Sequence, residues 1–421
     1  MNPTNFVPAT EAQQRAMLEA IGARSADELF AAIPPELQTD EFDLPDSLCE
    51  MEMLRELRSL AARNSTDLIN FCGAGFYDHY IPAAVDTLAS RGEFFTAYTP
   101  YQPEASQGTL QAIYEFQTAM VRLTGMEVAN ASLYDGGTAL FEAMMMALRV
   151  TERPLVLVDE GVNPIYRTML RSYTRNLQIE LREIPTARGA ADMDGIAAQL
   201  SERVAALLLQ NPNFFGAVED YTPLVEAAHR VGAMVVMSVY PVALSLIKTP
   251  GEMGADIAVG EGQSLGLPLA FGGPYLGFMA TRRALVRRMP GRIVGATHDA
   301  QGRRGYVLTL QAREQHIRRD KATSNICTNE ALCALRALIY LCLLGREGFV
   351  ELGRVCAANA EYARARLTAI PGVRLAVERP FFNELALELP RDAAEVIGHL
   401  IDRGIAPGFP VGRYYAGMER V

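Results

Sequence analysis

Between residues 126 and 280, short runs of uninterrupted apolar residues alternate with longer segments of helical periodicity. The apolar runs predict β-strands, and the segments between them predict helices. Unbroken apolar strands that alternate with helices are typical of a mainly parallel sheet covered on both faces, so an α/β fold is predicted. The predicted strands cover residues 128–132, 154–159, 178–184, 204–209, 233–239 and 257–259.

Two other regions flank this sheet. Residues 10–62 predict three helices, and Thr10 and Ser25 are placed to cap two of them. Residues 331–344 predict a long apolar helix, capped by the polar turns before it, that leads into a smaller α+β unit. We therefore predict an N-terminal helical arm (1–65), a large domain (66–330) and a small C-terminal domain (331–421). The small domain lacks a strand to close its sheet, so we expect it to be truncated.

A stretch rich in glycine and proline follows the last predicted strand, at residues 260–278. Gly and Pro at this density exclude a helix and indicate a backbone that passes close to a ligand or to another backbone. The stretch contains no lysine, and the whole chain has only Lys248 and Lys321. A mechanism that needs a Schiff-base lysine on this chain is therefore limited to these two candidates.

Aromatic and polar side chains concentrate in the loops of residues 70–110. Tyr77, His79, Tyr98, Tyr101 and Gln102 lie there among Gly and Pro. Exposed loops of this kind bind ligands more often than they pack, so a binding role is favoured over a structural connection between domains.

The loops after strands are further candidates, because ligands of open parallel sheets bind beyond the carboxyl ends of the strands. One of them, DGGT at residues 135–138, opens a predicted helix. Free N–H groups at a helix start can hold an anion, although the same sequence also suits a plain tight turn.

The composition narrows the function classes. The net charge of −10 at pH 7 argues against a nucleic-acid partner. The six cysteines have no C-x-x-C spacing and the five histidines are scattered, so no metal site is predicted. No apolar run reaches the ~18–20 residues of a membrane span, and the first residues lack a secretory pattern. We expect a cytoplasmic protein with neither a nucleic-acid nor a membrane partner.

Six longer motifs together resemble one family. They are GAGFYDHYIP, GEFFTAYTPYQPEASQGTLQAIYEFQ, TGMEVANASLYDGGTAL, QNPNFFGAVED, PGEMGADIAVGEGQSLGLPLAFGGPYLGF and RDKATSNICTNEAL. They are similar to the P-protein of the glycine cleavage system, in particular to the alpha (first) subunits of its two-subunit bacterial form. The resemblance implies a fold-type I pyridoxal-phosphate architecture, with an N-terminal arm, a mainly parallel seven-stranded sheet and a small C-terminal domain.

The resemblance also implies a subunit that does not bind the cofactor covalently. The family's beta chain holds pyridoxal phosphate through a lysine, and Gln263 occupies the matching position here. An amide cannot form an imine. The strand that would carry the carboxylate for the pyridine nitrogen ends in MSVYP, without a carboxylate. We interpret the site as a pseudo-site with no catalytic residue on this chain alone, and we expect the isolated chain to be inactive.

The implied activity, glycine dehydrogenase (aminomethyl-transferring), belongs to a complex. Its beta chain would decarboxylate glycine and transfer the aminomethyl group to the lipoyl arm of H-protein, in an assembly of two alpha and two beta chains. In this fold the active site lies at the subunit interface, so residues of this chain are predicted to act in trans. Thr323, Ser324 and Asn325 are the candidates for the partner's cofactor phosphate. The candidates for its substrate pocket are Tyr98, Tyr101, Gln102, Tyr77 and His79.

Two other hypotheses stay open. A self-sufficient pyridoxal enzyme would have to use Lys248 or Lys321, but neither follows a strand and precedes the glycine turn. A non-catalytic scaffold or regulatory subunit would keep the fold and use the pseudo-site for another ligand. The arginine-rich segments 282–292 and 313–319 are either solvated helix faces or a docking surface for an acidic carrier.

Overall fold

The computed structural model describes residues 9–39, 43–45, 47–270 and 272–421. The chain divides into two compact units, Met1–Leu68 and Ile69–Val421. The finer boundaries at residues 65 and 330 stay predictions.

The first unit contains two α-helices, α1 (Glu11–Ile21) and α2 (Glu50–Ala61), neither of which buries a residue. Thr10 caps α1 through a capping box with Gln13, as predicted. The prediction for Ser25 was wrong, because Ala26–Phe30 is a short 3-10 turn and Ser25 makes no side-chain cap bond. Glu28, which would complete that capping box, instead accepts hydrogen bonds from the backbone and side chain of Arg24.

A seven-stranded sheet forms the centre of the second unit. Its strand order is β2-β8-β7-β6-β5-β3-β4, and every pair is parallel except the two that involve β8. The other strands form three two-stranded sheets, β1 with β13, β9 with β10 and β11 with β12. The strands are β1 (Ile69–Asn70), β2 (Val128–Ala129), β3 (Leu155–Asp159), β4 (Glu180–Ile184), β5 (Val204–Asn211), β6 (Met234–Val239), β7 (Ile257–Glu261), β8 (Gly277–Thr281), β9 (Ile293–His298), β10 (Arg304–Thr309), β11 (Arg374–Leu375), β12 (Leu387–Glu388) and β13 (Ile405–Ala406).

Helices cover both faces of the large sheet, which confirms the predicted α/β class. One buried cluster lies between the sheet and α6 and α7, and the other lies between the sheet and α5, α8, α9 and the long α12. The helices of this unit are α3 (Ala83–Ala89), α4 (Gly92–Phe95), α5 (Gln107–Thr124), α6 (Gly136–Thr151), α7 (Pro164–Thr174), α8 (Met193–Gln199), α9 (Thr222–Arg230), α10 (Pro250–Met253), α11 (Gln315–Arg318), α12 (Ala331–Leu367) and α13 (Ala393–Ile401).

The long helix begins at Ala331, as predicted, but differs from its prediction in its N-terminal cap and its C-terminal end. It continues past residue 344 to Leu367, through a break at Gly345, where φ is 61° and ψ is −172°. Its N-cap is Glu330 and makes no side-chain cap bond, so the polar turns before it do not cap it as expected. Asn329 instead donates hydrogen bonds to Ala131 and Ser132, next to the first strand of the sheet.

Within the described residues, no helix is long and apolar enough to cross a membrane. Across the same residues, no group of three or more His, Cys, Asp or Glu side chains is placed to hold a metal ion.

A buried acid lies at the carboxyl end of the sheet. Asp159, the last residue of β3, is 0% exposed. Burial raises the pKa of its carboxyl group to about 7, although the Gly161 N–H and the Arg167 guanidinium partly oppose this rise. The folded chain therefore holds a proton on Asp159 at pH values where the unfolded chain has lost it.

Asp159→Asn should make the free energy of unfolding less dependent on pH. Between pH 4 and 7 the folded state of the native chain binds more protons at this site than the unfolded state, so stability falls as pH rises. The variant loses this dependence and should be more stable at pH 7.5 by about 2 kcal/mol. Urea unfolding at pH 4.5 and 7.5 measures the difference, with Asp194→Asn, at an exposed position, as the control. An equal pH slope in Asp159→Asn and native chain would contradict the prediction.

Candidate functional site

A polar pocket lies beyond the carboxyl ends of the central strands, where ligands of open α/β sheets bind. Its cavity volume is about 40 Å³. The loops and ends of β3, β5, β6 and β7 supply most of its lining, as the pattern of strands predicted. The lining residues are Ala74, Gly75, Tyr77, Asn163, Tyr166, Gln210, Phe214, Ser238, Val239, Tyr240, Glu261, Gln263, Ser264 and Glu384.

The predicted anion cradle at the start of α6 holds a carboxylate of the chain itself. Asp135 caps the helix by accepting a hydrogen bond from the Thr138 N–H at 2.7 Å. The N–H of Gly136, the first residue of the helix, has no partner within the helix and donates to Oε2 of Glu261 at 2.9 Å. The other oxygen, Oε1, accepts from the N–H groups of Gln263 and Leu276, both at 3.0 Å. One side chain therefore satisfies N–H groups from three segments.

Glycines allow this close approach. A Cβ at position 136 would lie 2.5 Å from the Tyr166 hydroxyl and 3.0 Å from the Glu261 Cβ. A Cβ at position 277 would lie 2.4 Å from the backbone oxygen of Asp135. These positions fit the prediction that the glycine-rich stretch passes close to another backbone.

Burial raises the pKa of the Glu261 carboxyl group to about 7, while the three N–H donors hold it down. Sequence reasoning did not identify this residue. Its position at the carboxyl end of a buried strand was the available signal, because such positions face the ligand edge of the sheet.

Gln263 lies in the same pocket and is only 4% exposed. Its Nε2 donates to the backbone oxygen of Leu267 at 2.7 Å, so the amide is committed to the loop that it begins. At the end of β6 the pocket presents Ser238 rather than a carboxylate. The described residues of the pocket thus contain no lysine, no carboxylate at the end of β6 and no free anion cradle. They do not fit a covalently held pyridoxal phosphate.

The two lysines of the chain lie elsewhere. The Lys248 Nζ is 3.2 Å from Oδ2 of Asp220 and 2.7 Å from the Thr222 hydroxyl. Lys321 is exposed in a 3-10 turn, Arg319–Lys321. Neither lines the pocket.

Tyr77 and His79, predicted to reach the partner's substrate pocket, contact this chain's own pocket. The Tyr77 hydroxyl donates to Oε2 of Glu384 at 2.7 Å, and its ring lies 4.4 Å from that of Tyr240, centroid to centroid. His79 forms a hydrogen bond with the Tyr240 hydroxyl. Their role toward a partner stays a prediction. Glu384 was missed by sequence reasoning, because nothing in its surroundings marks it.

Glu384 connects the loop around Tyr77 to the C-terminal part of the chain. It accepts a hydrogen bond from the Ala74 N–H in addition to that from Tyr77. Burial raises the pKa of Glu384, and these two donors oppose the rise. The residue therefore fixes one wall of the pocket.

The other segment predicted to act in trans surrounds Tyr101. Tyr98 is 76% exposed and Gln102 is also exposed, so both are accessible in this chain. The Tyr101 ring lies 5.5 Å from the Arg292 guanidinium carbon and 5.3 Å from the ring of His316. Its hydroxyl accepts a hydrogen bond from Nη2 of Arg292 at 3.1 Å.

The predicted phosphate loop has mixed exposure. Ser324 is partly buried and donates its hydroxyl to Oε1 of Glu142 at 2.8 Å. Thr323 is partly buried, and its N–H donates to the Arg313 oxygen at 3.4 Å. Asn325 is exposed.

Arg292 contacts the segment around Tyr101 and the segment that follows Asn325. It is 2% exposed, and besides Tyr101 it donates to Oδ1 of Asn329 at 3.3 Å and lies 3.7 Å from the carboxylate of Glu314. Arg313, whose backbone oxygen accepts from Thr323, donates from its guanidinium to the backbone of residues 289 and 291, directly before Arg292. The Tyr101 loop and the loop of Thr323 are therefore anchored on one buried cluster.

Comparison with known proteins identifies the family. The family model described as glycine cleavage system P-protein matches residues 4–408. The chain is 60% identical over 416 residues to a protein of Nitratidesulfovibrio vulgaris named "Probable glycine dehydrogenase (decarboxylating) subunit 1", covering 99% of this chain and 94% of that one. The chain belongs to the glycine cleavage system P-protein family.

Solved structures agree with this assignment. A glycine decarboxylase (P-protein) in inhibitor-bound form is 50% identical, with a TM-score of 0.90 over 96% of this chain and 91% of that one. A sphingosine-1-phosphate lyase of Burkholderia pseudomallei has a TM-score of 0.64 at 15% identity, covering 89% of this chain and 86% of that one, a likeness of fold alone. The predicted fold-type I architecture of the P-protein family is thus confirmed.

Glu384→Ala should destabilise this P-protein chain by about 2 kcal/mol, because two buried donors, the Ala74 N–H and the Tyr77 hydroxyl, lose their acceptor. Chemical denaturation at pH 7.5 measures the loss, and Glu378→Ala, at an exposed position, is the control. Equal midpoints for the two variants would show that the Glu384 contacts add nothing to stability.

Proposed function

We propose that this chain is the alpha (first) subunit of a heteromeric glycine decarboxylase. With a lysine-bearing beta subunit it releases CO2 from glycine and transfers the aminomethyl group to the lipoyl arm of H-protein. Pyridoxal phosphate, held by the beta subunit, supplies the electron sink for the decarboxylation. The assembly contains two alpha and two beta chains.

The observation that carries this proposal is the state of the chain's own pocket. Gln263 stands where the family's lysine would be and is bonded to Leu267, while Glu261 fills the anion cradle. The chain nevertheless has the fold and the motifs of the family along nearly its whole length. A relative named subunit 1 supports a second subunit as the site of the chemistry.

In this proposal the chain supplies residues that bind the cofactor phosphate and line the substrate pocket of the partner's site. The Thr323 hydroxyl, the Asn325 amide and the backbone N–H of Ser324, whose hydroxyl is donated to Glu142, would donate hydrogen bonds to the cofactor phosphate. Tyr98, Tyr101 and Gln102 would line the substrate pocket and exclude water from it.

Arg292 supports the joint assignment of these two segments. A guanidinium that is 2% exposed is costly to bury unless its hydrogen bonds are made. Its Nη2 donates to Tyr101 in the first loop and its Nη1 to Asn329 just after the second, while its Nε has no hydrogen-bond partner among the described residues. A buried residue that contacts both loops would hold them in fixed positions. This is what residues that bind a partner's ligand require.

The docking surface for H-protein is proposed at exposed arginines. Arg282, Arg292 and Arg313 are unsuited, because each donates to groups of this chain. Arg287, Arg288 and Arg319 are exposed and belong to the same two basic segments. They provide the positive charge that an acidic carrier would require.

Glycine–bicarbonate exchange with pyridoxal phosphate and H-protein should occur only when this chain is mixed with its beta partner. The isolated chain has no amine in its pocket to hold the cofactor, so its rate should equal the blank. Lys248→Ala and Lys321→Ala are matched controls and should leave the rate of the mixture unchanged. Exchange by the isolated chain that either substitution abolishes would replace this proposal with a lysine-dependent enzyme.

Thr323→Ala should weaken the binding of pyridoxal phosphate to the mixed complex about tenfold, since one hydrogen bond to a charged oxygen is lost. Titration of the complex with the cofactor, followed by its absorbance, gives the Kd. The control is Thr328→Ala, which removes a hydroxyl from the next turn of the same segment. A Kd that does not change, together with unchanged exchange, would favour a non-catalytic scaffold.

A further inference from the structure

Tyr101 is held by residues that lie far along the chain. It belongs to neither a helix nor a strand, so no regular structure fixes its side chain. Its hydroxyl accepts from Nη2 of Arg292 at 3.1 Å, and its ring lies 5.3 Å from that of His316 in an edge-on arrangement. Tyr98, in the same loop, is 76% exposed and makes no hydrogen bond or ring contact with the described residues. Of these two tyrosines, only Tyr101 is therefore given a fixed orientation.

One buried carboxylate joins the two groups that contact Tyr101. Glu314, the residue before α11, is 8% exposed. Its Oε2 lies 3.7 Å from Nε of Arg292 and 3.7 Å from Nδ1 of His316. Neither distance is that of a direct N–H···O bond, which is ~2.9 Å. The carboxylate is thus shared between the guanidinium and the imidazole and is bonded directly to neither.

We propose that His316 is a positioning residue for Tyr101 and holds it in the orientation that the partner's substrate pocket requires. This inference rests on the proposed function, in which Tyr101 lines that pocket. His316 acts directly through the contact between the two rings. It acts indirectly by keeping Glu314 from bonding to Arg292.

The indirect action follows from the position of the carboxylate. Without the imidazole, Oε2 of Glu314 needs to move only about 0.8 Å to bond directly to Nε of Arg292. That nitrogen has no hydrogen-bond partner among the described residues, and bonds between two charged groups are strong ones. Because the same guanidinium donates to Tyr101, its shift toward Glu314 would lengthen the bond to the tyrosine. Loss of His316 therefore releases Tyr101 from both of its contacts.

A second arginine near Glu314 does not take part in this exchange. Burial raises the pKa of the Glu314 carboxyl group, and the charges of Arg292 and Arg313 oppose that rise. Both Nη atoms of Arg313, however, donate to the backbone of residues 289 and 291, which keeps this guanidinium in place. Among the described residues, Arg292 is thus the arginine that contacts both Glu314 and Tyr101.

The test is glycine–bicarbonate exchange by the mixed complex at varied glycine concentration. A pocket wall contributes to binding in the ground and transition states alike, so His316→Ala should raise KM for glycine about fivefold and change kcat less than about twofold. The Kd of pyridoxal phosphate and assembly with the beta chain, followed by gel filtration, should stay as in the native complex. His399→Ala, at an exposed histidine on α13, is the matched control and should change none of these quantities.

A double-mutant cycle determines whether His316 acts through the tyrosine. Tyr101→Ala should raise KM by at least as much as His316→Ala, and the double variant should match Tyr101→Ala within about 1.5-fold. An effect of Tyr101→Ala with none of His316→Ala, or single effects that multiply, would overturn this inference alone. An unchanged KM in Tyr101→Ala would overturn the pocket role of Tyr101 together with the inference.

Should His316→Ala not assemble with the beta chain, His316→Asn is measured in its place. Its amide nitrogen keeps a donor for Glu314 but the ring contact is lost, so KM should rise only about twofold and not at all in the Tyr101→Ala background. Failure of both variants to assemble would show a structural role and overturn the proposal. An unchanged KM in His316→Asn, or a rise that persists without Tyr101, would do the same.

Discussion

The interaction on which the pocket depends is the set of hydrogen bonds that Glu261 accepts. The first N–H groups of any α-helix lack partners within the helix, and buried ones must find an acceptor elsewhere. At α6 that acceptor comes from the end of β7, and it also binds the N–H of Leu276 just before β8. A helix start, a central strand and the glycine-rich loop are therefore held by one side chain. The backbone at Gly136 and Gly277 can approach this closely because neither residue has a Cβ.

The loops that we propose to face the partner depend on a different buried charge. Arg292 has its charge compensated by Glu314 at 3.7 Å rather than by a direct hydrogen bond, and its donors go to Tyr101 and Asn329. Such an arrangement contributes less stability than a well-packed apolar residue would, but it fixes the relative positions of three segments. The chain thus combines a pocket whose backbone N–H groups bond to its own side chains with surface loops that a buried arginine holds in place. This combination suits a subunit whose chemistry lies in its partner.

Local patterns predicted every strand of the large sheet except β8, most of its helices and the edge that carries the pocket, because strand and helix periodicities are properties of neighbouring residues. The prediction that Gln263 stands in place of the family's lysine came from the motif that contains it, and it stays a prediction. The bonds from Gly136 to Glu261 and from Tyr77 to Glu384 join residues 125 and 307 positions apart, and no local pattern encodes such pairs. The prediction that Ser25 caps a helix was wrong for a related reason. Glu28 bonds to Arg24 and does not complete a capping box with Ser25.

The chemical nature of Glu261 follows from the same constraint. An apolar side chain at position 261 could fill the space but would leave the N–H groups of Gly136, Gln263 and Leu276 without an acceptor. Each such group would cost about 1–3 kcal/mol. A carboxylate satisfies all three and interacts favourably with the helix dipole. Burial opposes the charge and raises the pKa to about 7, and the three donors offset part of that penalty. Satisfaction of the backbone, rather than the filling of space, therefore explains why an acid stands at this position.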